Sequence, residues 1–184
     1  MKFWISLIAY QLVWFAAVIG ASHGRAWPGV AAMLVYVGGQ LLVTRQRRAD
    51  LRLIPVALVL GSLLDGALAW SGLARYAAPW PSAMLAPAWI LALWISFALT
   101  FTQSLAWLQQ RPVMAVLLGA IGGPLAYLSA ARGWHVVDFA APAWRGLLVL
   151  GIGWALATPV LAWLARHWSR PLSAAPTVFS EHAA

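Results

Sequence analysis

Asp65 is a carboxylate in the middle of an almost wholly apolar stretch, LGSLLDGALAW at residues 60–70. An ionised carboxylate near the centre of a bilayer costs about 2.5–3.5 kcal/mol on insertion scales. Asp65 is therefore either a functional group or a residue whose interior hydrogen bond fixes helix packing. Gly61 and Ala69 share its helical face and let a second helix approach closely. We therefore expect Asp65 to be buried between helices, and to be neutral because burial disfavours the charged form.

The polar side chains of the other apolar stretches are the candidate partners of Asp65. Ser96 and Thr100 are one helical turn apart and would form a polar stripe on their helix. We expect Asp65 to face this stripe, with Gln11 and Tyr127 at a similar depth. Two tryptophans that fall near mid-membrane and one further glutamine complete the predicted ligand-binding set, which is Asp65, Gln11, Trp14, Trp94, Ser96, Thr100, Gln103 and Tyr127.

The stretch LLGAIGGPLAYL at residues 117–128 predicts an interrupted helix. Pro124 has no N–H for the carbonyl of Ala120, so Gly123 and Pro124 mark a predicted helix break. Gly119 and Gly123 form a pair of small residues that lets helices pack closely. Two interpretations stay open: close packing around a kink, or an opened backbone that lines a substrate cavity.

The sequence has none of the short motifs that carry hydrolytic, nucleotide-binding or redox chemistry. It contains no cysteine, which excludes disulfides, thiolate nucleophiles and cysteine metal sites. His23, His135 and Asp138 could in principle ligate a metal ion, but their spacing matches no metal motif. We predict no metal site and no cofactor, assign no catalytic residue, and lean against an enzyme.

Membrane-spanning helices must position these side chains, because 63% of the residues are hydrophobic and only 9% are charged. A spanning helix needs about 20 mostly apolar residues. The predicted fold is an all-α polytopic membrane protein, a six-helix bundle with spans at about 3–21, 26–44, 53–73, 86–107, 112–131 and 142–165. Residues 1–170 are expected to form a single transmembrane domain, and residues 171–184 a flexible cytoplasmic tail.

Topology explains most of the net charge of +8, and attraction to anionic lipid headgroups is a residual contribution. Lys and Arg collect on the cytoplasmic side of membranes. With six spans, eight of the twelve basic residues fall on the side of both termini, among them the RQRR run at 45–48. We therefore predict a multi-pass protein of the inner membrane with both termini in the cytoplasm. Membrane lipid is an expected partner, and nucleic acid is not.

Four stretches resemble, in order, a bacterial inner-membrane family called domain of unknown function 2878. They are QLVWFAAVIGAS (11–22), GSLLDGALAWSGLARY (61–76), PAWILALWISFALTFTQSLAWL (87–108) and GGPLAYLSAARGW (122–134). The positions that match the family pattern are Gln11, Trp14, Asp65, Trp89, Trp94, Pro124 and Tyr127. Some relatives carry His where Gln103 stands. The family's members resemble accessory genes found beside fatty-acid-modifying enzymes, and this resemblance implies a link to lipid.

Three functions fit these residues. The first is a protein that binds a lipid or another apolar small molecule in an intramembrane cavity near Asp65, as an accessory to a partner membrane enzyme that modifies lipid. The second is a membrane-embedded enzyme acting on lipid, with Asp65 as acid or base. The third is a small six-span transporter or a solute-binding transport subunit, which the break at Pro124 favours.

Overall fold

The computed structural model describes residues 2–169 of the chain. Its elements in chain order are α1 (Lys2–Ser22), α2 (Trp27–Val43), α3 (Arg47–Trp70), β1 (Ala74–Tyr76), α4 (Ala88–Thr100), a 3-10 helix (Ala106–Gln110), α5 (Pro112–Leu117), a π-helical turn (Leu118–Gly122), α6 (Gly123–Trp134), β2 (Val137–Phe139) and α7 (Trp144–Trp168). Within this range the fold is all-helical apart from the two short strands. The tail predicted at 171–184 lies outside the described residues.

Four helices in the described range are long and apolar enough to cross a membrane: Phe3–Ser22, Arg47–Trp70, Pro112–Trp134 and Trp144–Trp168. The third of these is one continuous helix made of α5, the π-helical turn and α6. Exposed apolar side chains such as Leu12 and Leu63 cover the outer faces and suit contact with lipid tails. The fold is therefore that of a helical membrane protein. The other two predicted spans are shorter helices, with 17 residues in α2 and 13 in α4.

The fourth predicted span, 86–107, is wrong in its length. Helix α4 ends at Thr100, where the backbone turns and the N–H of Leu105 donates to the carbonyl of Thr100 at 2.8 Å. Most side chains of α4 are buried, because α1, α2 and α3 pack around it. A helix enclosed by protein contacts little lipid, so bilayer thickness does not fix its length. Helix α4 is the centre of the hydrophobic core.

The connectors after α3 and α6 pair as a small antiparallel sheet. Ala74, Arg75 and Tyr76 of β1 lie opposite Phe139, Asp138 and Val137 of β2. The N–H of Ala77 also donates to the carbonyl of Val136 at 2.8 Å. This sheet joins the end of α3 to the segment that precedes α7, and it fixes the position of Tyr76.

The helix that was predicted to break at Gly123 and Pro124 is continuous, but it contains a π-helical turn directly before them. The turn ends at Gly122, directly before these two residues. A proline in the middle of a helix leaves a carbonyl without its usual donor, and a π turn is a common local adjustment. A Cβ atom on Gly123 would lie 2.5 Å from Cγ of Trp154, so helix α7 packs here only because the residue is glycine. Gly123 therefore packs closely against α7, but the same stretch also lines a cavity, so both interpretations stay open.

Candidate functional site: the Asp65 cluster and an aromatic cavity

Asp65 is fully buried and accepts three side-chain hydrogen bonds. The hydroxyls of Tyr76 and Tyr127 donate to its Oδ1 atom at 2.8 Å and 2.6 Å. The indole N–H of Trp94 donates to Oδ2 at 2.7 Å. We call these four residues the Asp65 cluster. The prediction that Asp65 lies between helices is confirmed, and so is its proximity to Tyr127.

Four different elements bring the Asp65 cluster together. Asp65 lies on α3, Tyr76 on β1, Trp94 on α4 and Tyr127 on α6. Gly61, one turn before Asp65, makes the contact with α4 possible: a Cβ atom there would lie 2.6 Å from Cγ of Trp94. The small residue on the face of Asp65 therefore admits an indole ring, and the cluster links α3 to the core helix.

The donors of the cluster limit its chemistry. The indole N–H of Trp94 can only donate, so Oδ2 of Asp65 must be an acceptor. The two tyrosine hydroxyls can donate or accept, so Oδ1 can hold a proton shared with either hydroxyl or accept from both. Tyr76 lies beyond the end of α3, and burial, followed by the neighbouring Asp65 carboxylate, raises the pKa of its phenol. Tyr76 is therefore a stable donor. The neutral state of Asp65 stays a prediction.

Two predicted partners of Asp65 make other hydrogen bonds. Ser96 and Thr100 are buried on α4 as expected, but each hydroxyl donates to its own helix. Ser96 bonds the carbonyl of Ala92 at 2.9 Å, and Thr100 bonds that of Phe97 at 2.5 Å. Serine and threonine hydroxyls satisfy themselves in this way in apolar surroundings. The predicted contact of Asp65 with this stripe is wrong, because tyrosine and tryptophan donors take its place.

Gln11 and Gln103 lie away from Asp65. Gln11 is exposed on α1, on the same outward side as Ile8 and Phe15, so it points away from the bundle. Gln103 follows the end of α4 and donates to the hydroxyl of Thr44 at 3.3 Å, near the beginning of α3. The predicted grouping of both residues with Asp65 is wrong. A glutamine in an apolar helix does not reveal by itself which side it occupies.

A cavity of about 270 Å³ lies between α1, α4, α6 and α7, next to the Asp65 cluster. Its wall is apolar and rich in aromatic residues, which are Tyr10, Trp14, Trp89, Trp94, Phe97, Tyr127 and Trp154. Glycines of the π-helical turn, with Gly123 and Ala126 of α6, form the opposite side. Small residues leave this space open where larger side chains would fill it. The predicted residues Trp14, Trp94 and Tyr127 thus share one cavity.

Asp65 is not itself part of the cavity wall. It lies behind Trp94 and Tyr127, and it binds the polar atom of each ring. The ring of Trp94 also stacks on Trp154 with centroids 4.1 Å apart and planes 14° apart. Asp65 therefore does not form a polar end of the cavity. By binding these two polar atoms, Asp65 fixes the orientation of the Trp94 and Tyr127 rings, and their apolar surface faces the cavity.

A family model described as "Protein of unknown function (DUF2878)" matches residues 3–160. The chain belongs to this family. The matched range includes the whole Asp65 cluster and every residue of the cavity wall. No curated protein and no solved structure matches the chain.

This DUF2878 protein has a second buried carboxylate, Asp50, which the sequence analysis missed. Asp50 is fully buried in the first turn of α3 and accepts a hydrogen bond from the hydroxyl of Thr102 at 2.6 Å. Asp50 lies among arginines, between the predicted spans 26–44 and 53–73. The available signal was helical spacing, since Asp50, Leu53, Ala57 and Gly61 recur at three- and four-residue intervals and are all buried.

Tyr76 is the other functional residue that the sequence analysis missed. It follows the third predicted span by three residues, in a connector that contains no strong strand pattern. Only the pairing of β1 with β2 returns its side chain to the bundle. A tyrosine close to the end of a helix that carries a buried aspartate was the sole local signal.

Proposed function

We propose that this DUF2878 protein binds a lipid chain or another apolar small molecule in the aromatic cavity. The observation that carries the proposal is the orientation of Trp94 and Tyr127, whose polar atoms are bound to Asp65. Their rings are left as apolar wall. Ligand pockets are lined predominantly by hydrophobic and aromatic side chains, with few polar groups. In this proposal Asp65 is a positioning residue that holds the wall in place.

Size and access favour a slender or partly inserted ligand. Ligand pockets start at about 300 Å³, so a cavity of about 270 Å³ suits one hydrocarbon chain better than a whole phospholipid. Tyr10, Trp14 and Ala126 line the cavity and are partly exposed on the outer side of α1 and α6. These residues offer a route from the membrane into the cavity between the two helices.

The proposed setting is the bacterial inner membrane, with six crossings and both termini in the cytoplasm. The arginines around the beginning of α3 support this orientation, because Lys and Arg collect on the cytoplasmic side of membranes. Arg52 lies over the ring of Trp168, so the end of α7 is on the same side. A reporter fused after Ala184 should behave as cytoplasmic, and one inserted at 82–84, before α4, as periplasmic. Cytoplasmic behaviour of the second reporter would contradict the six crossings.

Native mass spectrometry of the purified protein tests the ligand. The wild type should retain a hydrophobic molecule of defined mass. Ala126→Leu places a larger side chain in the cavity and should reduce retention at least about tenfold, in line with a steric block in a small pocket. Ala67→Leu is the matched control, because it adds the same group at an exposed position of α3 away from this cavity. Equal retention by both variants would refute the cavity as the binding site.

The two other functions have less support. An enzyme that uses Asp65 as acid or base needs the carboxylate within reach of a substrate, and here Tyr127 and Trp94 stand between Asp65 and the cavity. Proton relay through Tyr127 would make Asp65→Asn inactive while the fold and ligand retention persist. Transport finds support in the π-helical turn alone, which close packing already explains. An accessory role beside a lipid-modifying membrane enzyme remains the extension that the family resemblance suggests.

A further inference from the structure

A basic groove lies where the connector between α2 and α3 meets the end of α7. It has a volume of about 470 Å³, and we call it the arginine groove; its lining residues are Thr44, Arg45, Gln46, Arg47, Arg48, Arg52 and Trp168. All four arginines are exposed. The groove is separate from the aromatic cavity, with which it shares no lining residue.

The positive charge of the groove has no balancing carboxylate nearby among residues 2–169. Within that range no arginine lies within 4.0 Å of a carboxylate oxygen. Asp50 is close in sequence, but it is buried and accepts a hydrogen bond from Thr102. Four guanidinium groups in one groove repel each other. An anion bound among them would relieve that repulsion.

Two of the four guanidinium groups are held in place by other contacts. Arg47 donates to the carbonyl of Leu42 at 3.2 Å, and the guanidinium of Arg52 lies 5.9 Å from the centre of the Trp168 ring. Helix α3 begins at Arg47, so the partial positive charge of its N-terminus adds to that of the side chains. Fixed guanidinium groups bind an anion with less loss of side-chain entropy than free ones.

We infer that the arginine groove binds the phosphate group of an anionic phospholipid. Guanidinium groups match phosphate oxygens in geometry and form paired, charge-assisted hydrogen bonds with them. Leu42 and Val43 flank the arginines and are 77% and 72% exposed, so apolar surface for acyl chains adjoins the site for the headgroup. Trp168 adds an indole of the kind that settles at headgroup level. The inference does not depend on a ligand in the aromatic cavity.

The test compares lipid binding by two double variants with the same loss of charge. R48Q/R52Q removes two arginines of the groove one turn apart, whereas R25Q/R132Q removes two exposed arginines outside it. Each purified protein is titrated with phosphatidylglycerol in detergent and followed by native mass spectrometry. Phosphatidylcholine and inorganic phosphate are titrated in parallel. Phosphatidylcholine has the same phosphate group, but its choline cation leaves the lipid with no net charge. R52K keeps the charge and removes the guanidinium fork.

The wild type should bind phosphatidylglycerol in preference to phosphatidylcholine. R48Q/R52Q should weaken this binding at least about tenfold, since each basic side chain near a membrane surface contributes measurably to anionic-lipid attraction. R25Q/R132Q should change it less than twofold, and R52K should weaken it although the charge is kept. Equal losses in both double variants would overturn the site, because general charge would then explain binding. Displacement of the lipid by millimolar inorganic phosphate would overturn the assignment to a lipid headgroup.

Discussion

Replacing Asp65 by leucine should destabilise the bundle by about 2–5 kcal/mol. Leucine has a similar branched shape but accepts no hydrogen bond, so three buried donors lose their acceptor. Hydrogen bonds between membrane helices contribute about 0.6 kcal/mol on average and about 1.7 kcal/mol at most, and three of them give this range. Asp65→Asn should cost less, since an amide can accept from Trp94 and donate to both tyrosines.

A double-mutant cycle with Tyr127→Phe isolates the cause. In the wild type, Tyr127→Phe removes one donor to Asp65 and should cost about 0.6–1.7 kcal/mol. In the Asp65→Leu protein the hydroxyl of Tyr127 is already without its acceptor, so its removal should be neutral or stabilising. The effect of Tyr127→Phe on stability in the Asp65→Leu protein should therefore be opposite in sign to its effect in the wild type, or much smaller.

Unfolding in mixed micelles of a mild detergent and dodecyl sulfate, followed by helical circular dichroism, measures these free energies. Ser96→Ala is the control, because it removes a buried hydroxyl that bonds only its own helix. That change should cost less than about 1 kcal/mol. Additive effects of Asp65→Leu and Tyr127→Phe, or an Asp65→Leu protein as stable as the wild type, would refute the role assigned to the Asp65 cluster.

Two further changes test the packing that surrounds the site. Gly123→Ala should destabilise the protein, because the added methyl would lie 2.5 Å from Trp154, whereas Gly122→Ala should be nearly neutral because its methyl meets nothing closer than 3.7 Å. Thermal unfolding of both variants in the same detergent measures the difference, and equal melting temperatures would contradict the prediction. Thr102→Val removes a hydroxyl that donates to the buried Asp50 and should cost about 1–3 kcal/mol. Thr102→Ser should restore most of that stability, and a silent Thr102→Val would show that this hydrogen bond contributes nothing.

The general class of the fold and part of the site were predictable from the sequence. Apolar runs of sufficient length identify the four long helices, since hydrophobicity determines partition into a bilayer. Asp65 was assigned to the interior correctly, because a carboxylate is costly anywhere else in the membrane. Trp94 and Tyr127 were named with it, and both donate to it.

The parts that could not be predicted depend on which helices are neighbours. Periodicity shows one face of a helix but not its partner, so Gln11 was assigned inward although it is exposed. The early end of α4 at Thr100 was hidden because the apolar residues continue beyond it. Tyr76 and Asp50 escaped notice because both lie outside the apolar runs, where polar residues normally contact water.

The order of the residues in the Asp65 cluster has a consequence for the biosynthesis of the protein. All three donors are made after α3, and two of them, Trp94 and Tyr127, belong to later helices. When α3 enters the bilayer, only Tyr76, eleven residues downstream, is available to its carboxylate. A nascent chain that stops before α4 should therefore leave the membrane during insertion more often than a longer one. We therefore expect stable integration of α3 into the membrane to require α4 and to follow its synthesis.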